Sequence, residues 1–397
     1  MKELIKASTT LIDTVETTFS RLDILKADWN ERLIAVQGHR GVGKTTLLLQ
    51  YLASQRTKVQ CIYLSMDHFY FQSNSLFETI QKLNELGYTL FVIDEVHKYA
   101  NWSIEIKNVY DTFKKLKVII SGSSALEIYK SNADLSRRAV SFMLPVLSLR
   151  EFISIETGKK LETYSLENIL NDHTAIALAL NKKIGSPLKY FKQYLQNGCY
   201  PFYLEGVPHY SQKLMRTTTL VLETDIAAVT NVNFQSITKM KKLLAFIAQS
   251  VPFKPNITRL AEVIETKRDT TMLYLEYLQR ASVIRMLNVS GQTMGRLSKP
   301  EKIYLDNTNL AFALCLETPN IGNLRETFLL SQLTAQCKVE ASPVSDFLVN
   351  GKFTFECGSK NKQNKQVKEV KNSFIIKDDL LTGSKNEIPL WLFGFLY

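Results

Sequence analysis

The chain has 397 residues, of which 45% are hydrophobic and 22% charged, an ordinary globular balance in a length too great for one compact core, so about two to four domains are expected. No stretch approaches the roughly twenty apolar residues of a membrane span. A net charge of +11 fits a nucleic-acid partner, because lysine and arginine facing phosphates release counterions, although basic chains also meet acidic proteins or nothing.

The first residues, Met1-Lys2-Glu3-Leu4-Ile5-Lys6, lack an uninterrupted apolar core followed by a small-residue cleavage site, so the expected location is the cytoplasm. Five scattered cysteines, Cys61, Cys199, Cys315, Cys337 and Cys357, form no C-x-x-C pair and read as reduced, mostly buried thiols.

In chain order, residues 1–30 read as a helical lead-in. Leu33-Ile34-Ala35-Val36 is an apolar run of the kind that makes a buried strand. It runs into Gly38-His39-Arg40-Gly41-Val42-Gly43-Lys44-Thr45-Thr46, which fits G-x-x-x-x-G-K-[ST], and Leu47-Leu48-Leu49 then opens a helix. Glycines let such a loop close around an anion with its N–H groups inward, and the helix start adds the positive end of its dipole. The spacing predicts that Lys44 reaches the β and γ phosphates of ATP and that Thr45 gives its hydroxyl to Mg2+.

Residues 59–64 read as a second strand and 75–86 as a helix. Leu90-Phe91-Val92-Ile93 is apolar on both alternating faces, as a central parallel strand should be, and ends in Asp94-Glu95. Asp94 is expected to hold the magnesium through water, and Glu95 to polarise the water that attacks the γ-phosphate. A fourth run, Val118-Ile119-Ile120, ends in Ser121-Gly122-Ser123-Ser124. Strands separated by helices imply an α/β parallel sheet, with the P-loop, the acid pair and the serines meeting at the carboxyl ends of the strands. Then come Asp134-Leu135-Ser136-Arg137-Arg138, a fifth apolar run over 139–144, and Leu147-Ser148-Leu149-Arg150-Glu151-Phe152.

In these motifs the chain resembles the AAA+ class of P-loop ATPases, and more narrowly the bacterial and archaeal ATPases whose AAA+ core is followed by a winged helix and a restriction-endonuclease-like domain. The text that carries the resemblance is G-x-x-G-V-G-K-T-T, F-V-I-D-E-V-H-K, I-I-S-G-S-S, D-L-S-R-R and L-S-L-R-E-F, with P-E-K-I-Y-L-D-N and F-E-C-G-S-K-N-K further on. The resemblance implies that Ser121 or Ser123 is the polar sensor near the γ-phosphate. It also implies that Arg138 is a candidate arginine finger, acting within its own chain or in a neighbouring subunit of a homo-oligomer. Arg137 stands where relatives often carry glycine, which leaves open which arginine acts, and both arginines fit a plain structural role at the sheet edge or against Asp134.

The implied organisation is a P-loop core over 1–152, a helical lid over 153–236, a winged helix over 237–300 and a small α+β restriction-endonuclease-like domain over 301–397. Asn197-Gly198-Cys199-Tyr200-Pro201-Phe202 reads as a turn between lid helices. Pro252 and Pro255 break the chain, Asn256 is placed to cap a helix, and another helix is expected from about Asp269 to Arg280, before the strand Val283-Ile284-Arg285-Met286-Leu287 and a turn at Gly291. Lys267, Arg268 and Arg280 on this last helix suit either DNA contact or simple packing.

In the last segment Glu326, Asp346 and Glu356 resemble the acids of the PD-(D/E)XK nuclease core, which gather magnesium. The usual Glu-x-Lys strand here reads Glu356-Cys357-Gly358, so Lys360 or Lys362 has to supply the lysine, or cutting is lost and the fold retained. Ile388 to Tyr397 reads as a buried terminal strand. The expected activity is Mg2+-dependent ATP hydrolysis that moves or gates the carboxyl modules, on DNA or with a protein partner. The competing expectations are a nucleotide-gated regulator with incidental turnover and an ATP-licensed nuclease.

Overall fold

The structure, a computed structural model, describes residues 1–21, 28–122, 135, 137–226, 232–250, 252–289, 299–315, 317–359 and 370–397. The chain divides into two compact units, one ending at Pro145 and the other beginning at Val146.

The first unit is built on five parallel strands: β1 Leu33–Gln37, β2 Cys61–Ser65, β3 Leu90–Asp94, β4 Lys117–Gly122 and β5 Val140–Met143. Their spatial order is β2-β3-β4-β1-β5, which confirms the α/β parallel sheet. In that order β4 lies between the P-loop strand and the acid-bearing strand, in register with both (Ala35↔Ile120 and Ile93↔Ile120). Parallel strands put all their carboxyl ends on one edge, so Gln37, Asp94 and Ser121 end side by side.

Alternation decides the faces. Leu33, Ala35, Ile62, Leu64, Phe91, Ile93, Val118 and Ile120 share one core with Leu4 of helix α1 (Lys2–Thr14), Ile80 of α3 (Leu76–Glu85) and Trp102 of α4 (Trp102–Thr112). The alternate residues Ile34, Val36, Val92 and Ile119 are fully buried as well, which is why these runs are apolar throughout. Helix α2 (Lys44–Gln55) follows the P-loop, and Ser75 caps α3 by accepting from the Glu78 N–H.

The lead-in is shorter than expected. Helix α1 stops at Thr14, Val15 is extended, and the Glu16 carboxylate takes the N–H groups of Thr17 and Thr18, each at 3.0 Å, offering those amides an alternative to a helix. Ser8 of α1 accepts from the backbone N–H of Tyr63 at 2.8 Å, which satisfies a donor on edge strand β2.

The second unit carries helices α5 Leu149–Thr157, α6 Leu166–Ile184, α7 Pro187–Asn197 and α8 Tyr210–Leu220. Next come α9 Phe234–Ser250, α10 Ile257–Val263 and α11 Arg268–Arg280. Asn256 caps α10 by accepting from the Arg259 N–H, as expected. Strands β6 Ile284–Leu287 and β7 Lys302–Leu305 form an antiparallel pair, so the residues at the start of the expected last segment pair with a strand of the one before. The turn expected at Gly291 lies outside the described residues.

Beyond α12 (Thr308–Leu314) and α13 (Ile321–Leu333) lies a sheet of β8 Val339–Ala341, β9 Phe347–Val349, β10 Phe353–Gly358, β11 Ser373–Lys377 and β12 Glu387–Pro389. Its order is β12-β11-β10-β9-β8. The expected terminal strand is a strand only at its start: Leu390–Phe395 is a buried 3-10 helix. Gly394 makes this possible, since a Cβ there would stand 2.4 Å from the Cβ of Leu149. The sequence run Leu147 to Phe152 is a helix start, in which Ser148 and Glu151 form a reciprocal capping box. Ser148 Oγ and Arg150 Nε also donate to the main-chain oxygen of Tyr397 at 2.9 and 2.7 Å. Phe191 packs edge-on against Phe328 at 4.8 Å. The expected lid helices therefore share a core with the carboxyl-terminal segment. All five cysteines are free thiols.

Candidate nucleotide site

The P-loop closes tightly between β1 and α2. Gly38 has φ +156°, and a Cβ there would come 2.7 Å from the Leu144 carbonyl oxygen. Gly43, the residue before α2, is left-handed at φ 92°, a conformation glycine adopts without steric cost. Lys44 is buried at 5% exposure, and its ammonium donates to the carbonyls of Gly38 and His39 at 3.0 and 3.1 Å. The lysine thus lies across the loop whose backbone it shares. His39 is buried and its Nδ1 lies 2.7 Å from the Arg40 carbonyl oxygen. Val42 is fully buried and turns back onto the His39 carbonyl, while Thr45 and Thr46 are exposed at the start of α2.

Asp94 is the hub. It is 1% exposed, and an ionised carboxylate so deeply placed needs donors on its oxygens. Thr45 Oγ1 donates to Oδ2 at 2.6 Å and the Tyr63 hydroxyl to the same oxygen at 2.8 Å. Ser121 Oγ and the Glu95 N–H, the latter at 3.0 Å, donate to Oδ1. Donors from α2, β2 and β4 therefore converge on the end of β3. Burial, and next the charge of Asp94, raise the Tyr63 hydroxyl well above the ordinary tyrosine range, so Tyr63 keeps its proton and acts as a donor.

Glu95 leaves the strand in a left-handed conformation, φ 55°, uncommon for a non-glycine residue and found where the surroundings impose it. Its carboxylate lies 3.3 Å from Nε2 of His97, whose side chain is 3% exposed against 22% for Glu95. Arg138 makes a two-pronged contact with Asp111, Nε to Oδ1 and Nη2 to Oδ2, both at 3.0 Å. Arg137 is exposed, and the Ser123 and Asp134 readings fall outside the described residues.

Three residues that the sequence reading passed over support this site. Arg21, 5% exposed, donates through Nη1 to the Val42 carbonyl at 2.8 Å and through Nη2 to that of Pro145 at 3.1 Å, joining the P-loop to the segment after β5. Gln50 of α2 holds the carbonyls of Glu16 and Phe19 at 2.6 and 2.8 Å. Tyr63 was read only as part of an apolar strand. A hydroxyl inside such a run is a usable signal, because buried tyrosine seeks a partner; Arg21 and Gln50 carried no signal of that kind.

In the second unit the structure brings Glu326 and Asp346 together at Lys302, which is 3.3 and 2.9 Å from them. Glu356 is buried on β10, and Lys360 lies outside the described residues. Among the described residues no group of three or more His, Cys, Asp or Glu side chains is placed to hold a metal ion. On α11 Arg280 pairs with Glu276 one turn earlier. No described helix is long and apolar enough to cross a membrane.

Residues 30–153 match a family model described as an AAA domain, and residues 188–320 match a domain of unknown function, DUF8612. The chain is 27% identical over 404 residues to the uncharacterized protein MJ1637 of Methanocaldococcus jannaschii, an alignment covering 92% of this chain and 85% of that protein. Among solved structures it is similar to AMPPCP-bound DnaA from Aquifex aeolicus, at 13% identity and a TM-score of 0.26, over 70% of this chain and 88% of that one. It is similar also to domain III of the Thermotoga maritima replication initiation protein DnaA, at 16% identity and a TM-score of 0.26, over 43% and 88%.

Proposed function

We propose that the chain is a Mg2+-dependent ATPase whose first unit binds ATP in the Gly38 to Thr46 loop and hydrolyses it. The observation that carries this reading is the 2.6 Å contact between Thr45 Oγ1 and Asp94 Oδ2. It sets a P-loop hydroxyl against a strand-end carboxylate, two hard oxygen donors of the kind magnesium takes. The AAA-domain match over residues 30–153 supports the same reading.

Thr45 and Asp94 fit the metal and would hold it, Asp94 through water. When bound, the ion would neutralise charge on the β and γ phosphates. Lys44 would turn its ammonium from the Gly38 and His39 carbonyls to the phosphates. The loop N–H groups and the start of α2 would face the same charge. Glu95 would orient the attacking water and accept its proton, and Ser121, bonded to Asp94, would contact the γ-phosphate side. We assign Arg138 the finger role, acting in a neighbouring copy, where its guanidinium would meet transition-state charge.

For the rest of the chain we propose a helical segment over 153–236, a winged helix over 237–300 and a restriction-endonuclease-like fold over 301–397. The run of three helices α9, α10 and α11 into the β6–β7 pair supports the winged helix. Coupling to DNA rests on the net charge of +11 and on Lys267 and Arg268 at the start of α11.

Phosphate release measured with and without single-stranded and duplex DNA tests the whole reading. Mg2+-dependent turnover that disappears in Lys44→Ala is expected, with stimulation by DNA that weakens steeply as salt rises. Turnover surviving Lys44→Ala would remove the assignment of the site. Indifference to DNA would leave the ATPase and point to a protein partner.

A further inference from the structure

Glu326 on α13 and Asp346 just before β9 stand at positions that the nuclease resemblance assigns to metal, and a lysine ammonium lies between them. Lys302 Nζ is 2.9 Å from Asp346 Oδ1 and 3.3 Å from Glu326 Oε2, with the three side chains between 16% and 19% exposed. Two further donors reach the acids. The Tyr304 hydroxyl donates to Glu326 Oε2 at 2.8 Å, and the Cys357 N–H donates to Asp346 Oδ2 at 2.9 Å. Oε2 of Glu326 and both oxygens of Asp346 are thus engaged by donors of the protein.

The strand explains the delivery. Lys302 and Tyr304 are two residues apart on β7, so both side chains leave the same face and reach the same acid pair. Asp346 is fixed from the other side, its N–H donating to the Phe355 carbonyl at 3.2 Å. Burial alone would lower the Lys302 ammonium, but the Asp346 and Glu326 carboxylates outweigh it and hold the group above the ordinary lysine value. Burial, and next the charge of Asp346, raise the Glu326 carboxyl.

A divalent cation does not fit this arrangement. Magnesium draws oxygen ligands to about 2.0–2.1 Å, in the space that Nζ holds, and a second cation there would meet the ammonium at repulsive range. Glu356 does not join the pair as a third metal-holding acid, and the strand that carries it continues Cys357-Gly358 with no lysine.

We propose that Lys302 is a built-in cation occupying the coordination space between Glu326 and Asp346, so that the pair ties β7 to α13 and the β9–β10 hairpin and takes no divalent metal. The carboxyl-terminal unit accordingly does not cleave phosphodiesters. This inference does not depend on the ATPase reading.

The test uses the full chain without nucleotide, titrated with Mn2+ and followed by the electron paramagnetic resonance signal of the free ion. Wild type and Asp346→Asn should give superimposable isotherms; any site at the P-loop is common to both and cancels. Lys302→Met, with its fold checked by circular dichroism, should gain an Mn2+ site that wild type lacks, since one adjacent unit charge is removed, and Lys302→Met/Asp346→Asn should lose it. Supercoiled DNA incubated with wild type and Mn2+ should stay intact. A wild-type Mn2+ site or DNA nicking that Asp346→Asn removes would overturn the proposal, as would a folded Lys302→Met that gains no site. If Lys302→Met does not fold, the wild-type and Asp346→Asn comparison decides alone.

Discussion

The imidazole Nε2 of His97 lies 3.3 Å from the Glu95 carboxylate, so the group assigned to water activation is held by a buried neighbour two residues away. The left-handed backbone of Glu95 turns the chain to allow that contact. His97→Ala should leave the KM for ATP nearly unchanged and lower kcat about tenfold or more, because small misplacements of a catalytic group are costly. His97→Gln should restore part of the rate. Steady-state phosphate release checks this; an unchanged kcat in both variants would show that the imidazole does not position Glu95.

Glu95→Gln keeps the shape of the side chain and removes its basicity. It should bind ATP as wild type does and release phosphate about 10²–10⁴-fold more slowly, the usual contribution of a general base. Binding by equilibrium dialysis and single-turnover hydrolysis separate the two effects. Hydrolysis at the wild-type rate would transfer the role to another group.

Tyr63→Phe deletes one of the two donors to Asp94 Oδ2. A loss of about 1.5–3 kcal/mol is expected for a buried hydrogen bond to a charged group, read by denaturant unfolding. The sign with pH follows from the raised hydroxyl. The folded state holds the proton more tightly than the unfolded chain, whose ordinary value is 10.0. The contribution of Tyr63 is therefore complete below pH 10 and is lost as pH rises above it. Wild type should lose stability faster than Tyr63→Phe above that pH, and parallel curves would argue against the donor role.

Arg21→Ala removes a guanidinium that holds the Val42 carbonyl of the P-loop and that of Pro145. Both acceptors lose a charged donor, so about 2 kcal/mol of stability should go, and ATP affinity should fall about tenfold as the loop loses its preset shape. Thermal unfolding and fluorescent-nucleotide titration read the two. Loss of stability with intact affinity would make Arg21 a structural staple alone.

Arg138→Ala separates finger from surface pair. Its partner Asp111 is exposed and Arg138 itself is half-buried, so the melting midpoint should move little. A fall in kcat would then come from the reaction, and mixing with Lys44→Ala protein should restore turnover if the arginine acts in trans. Unaltered kcat would retire the assignment.

The elements read from sequence and those that were not differ in one physical respect. The P-loop, the buried strand ending in Asp94-Glu95, the Asn256 helix cap and the parallel sheet were legible because each is encoded locally: glycine spacing, an unbroken apolar run, a capping side chain next to the helix it starts. What the tertiary structure decided depends on residues far apart in the chain. Strand order placed β4 between β1 and β3 and so brought Ser121 to Asp94; a hydroxyl in an apolar strand and an arginine in a featureless segment became supports of the site only through packing. Gly394 let the terminal run dock as a 3-10 helix on Leu149, where apolarity alone suggested a strand. Lys302, read only as the start of a domain, stands between Glu326 and Asp346 because β7 pairs with β6 and faces α13. Local patterns specify backbone conformation and burial, while the partner of a buried charge is set by the fold, since the donor that offsets its desolvation can come from any element the packing brings near.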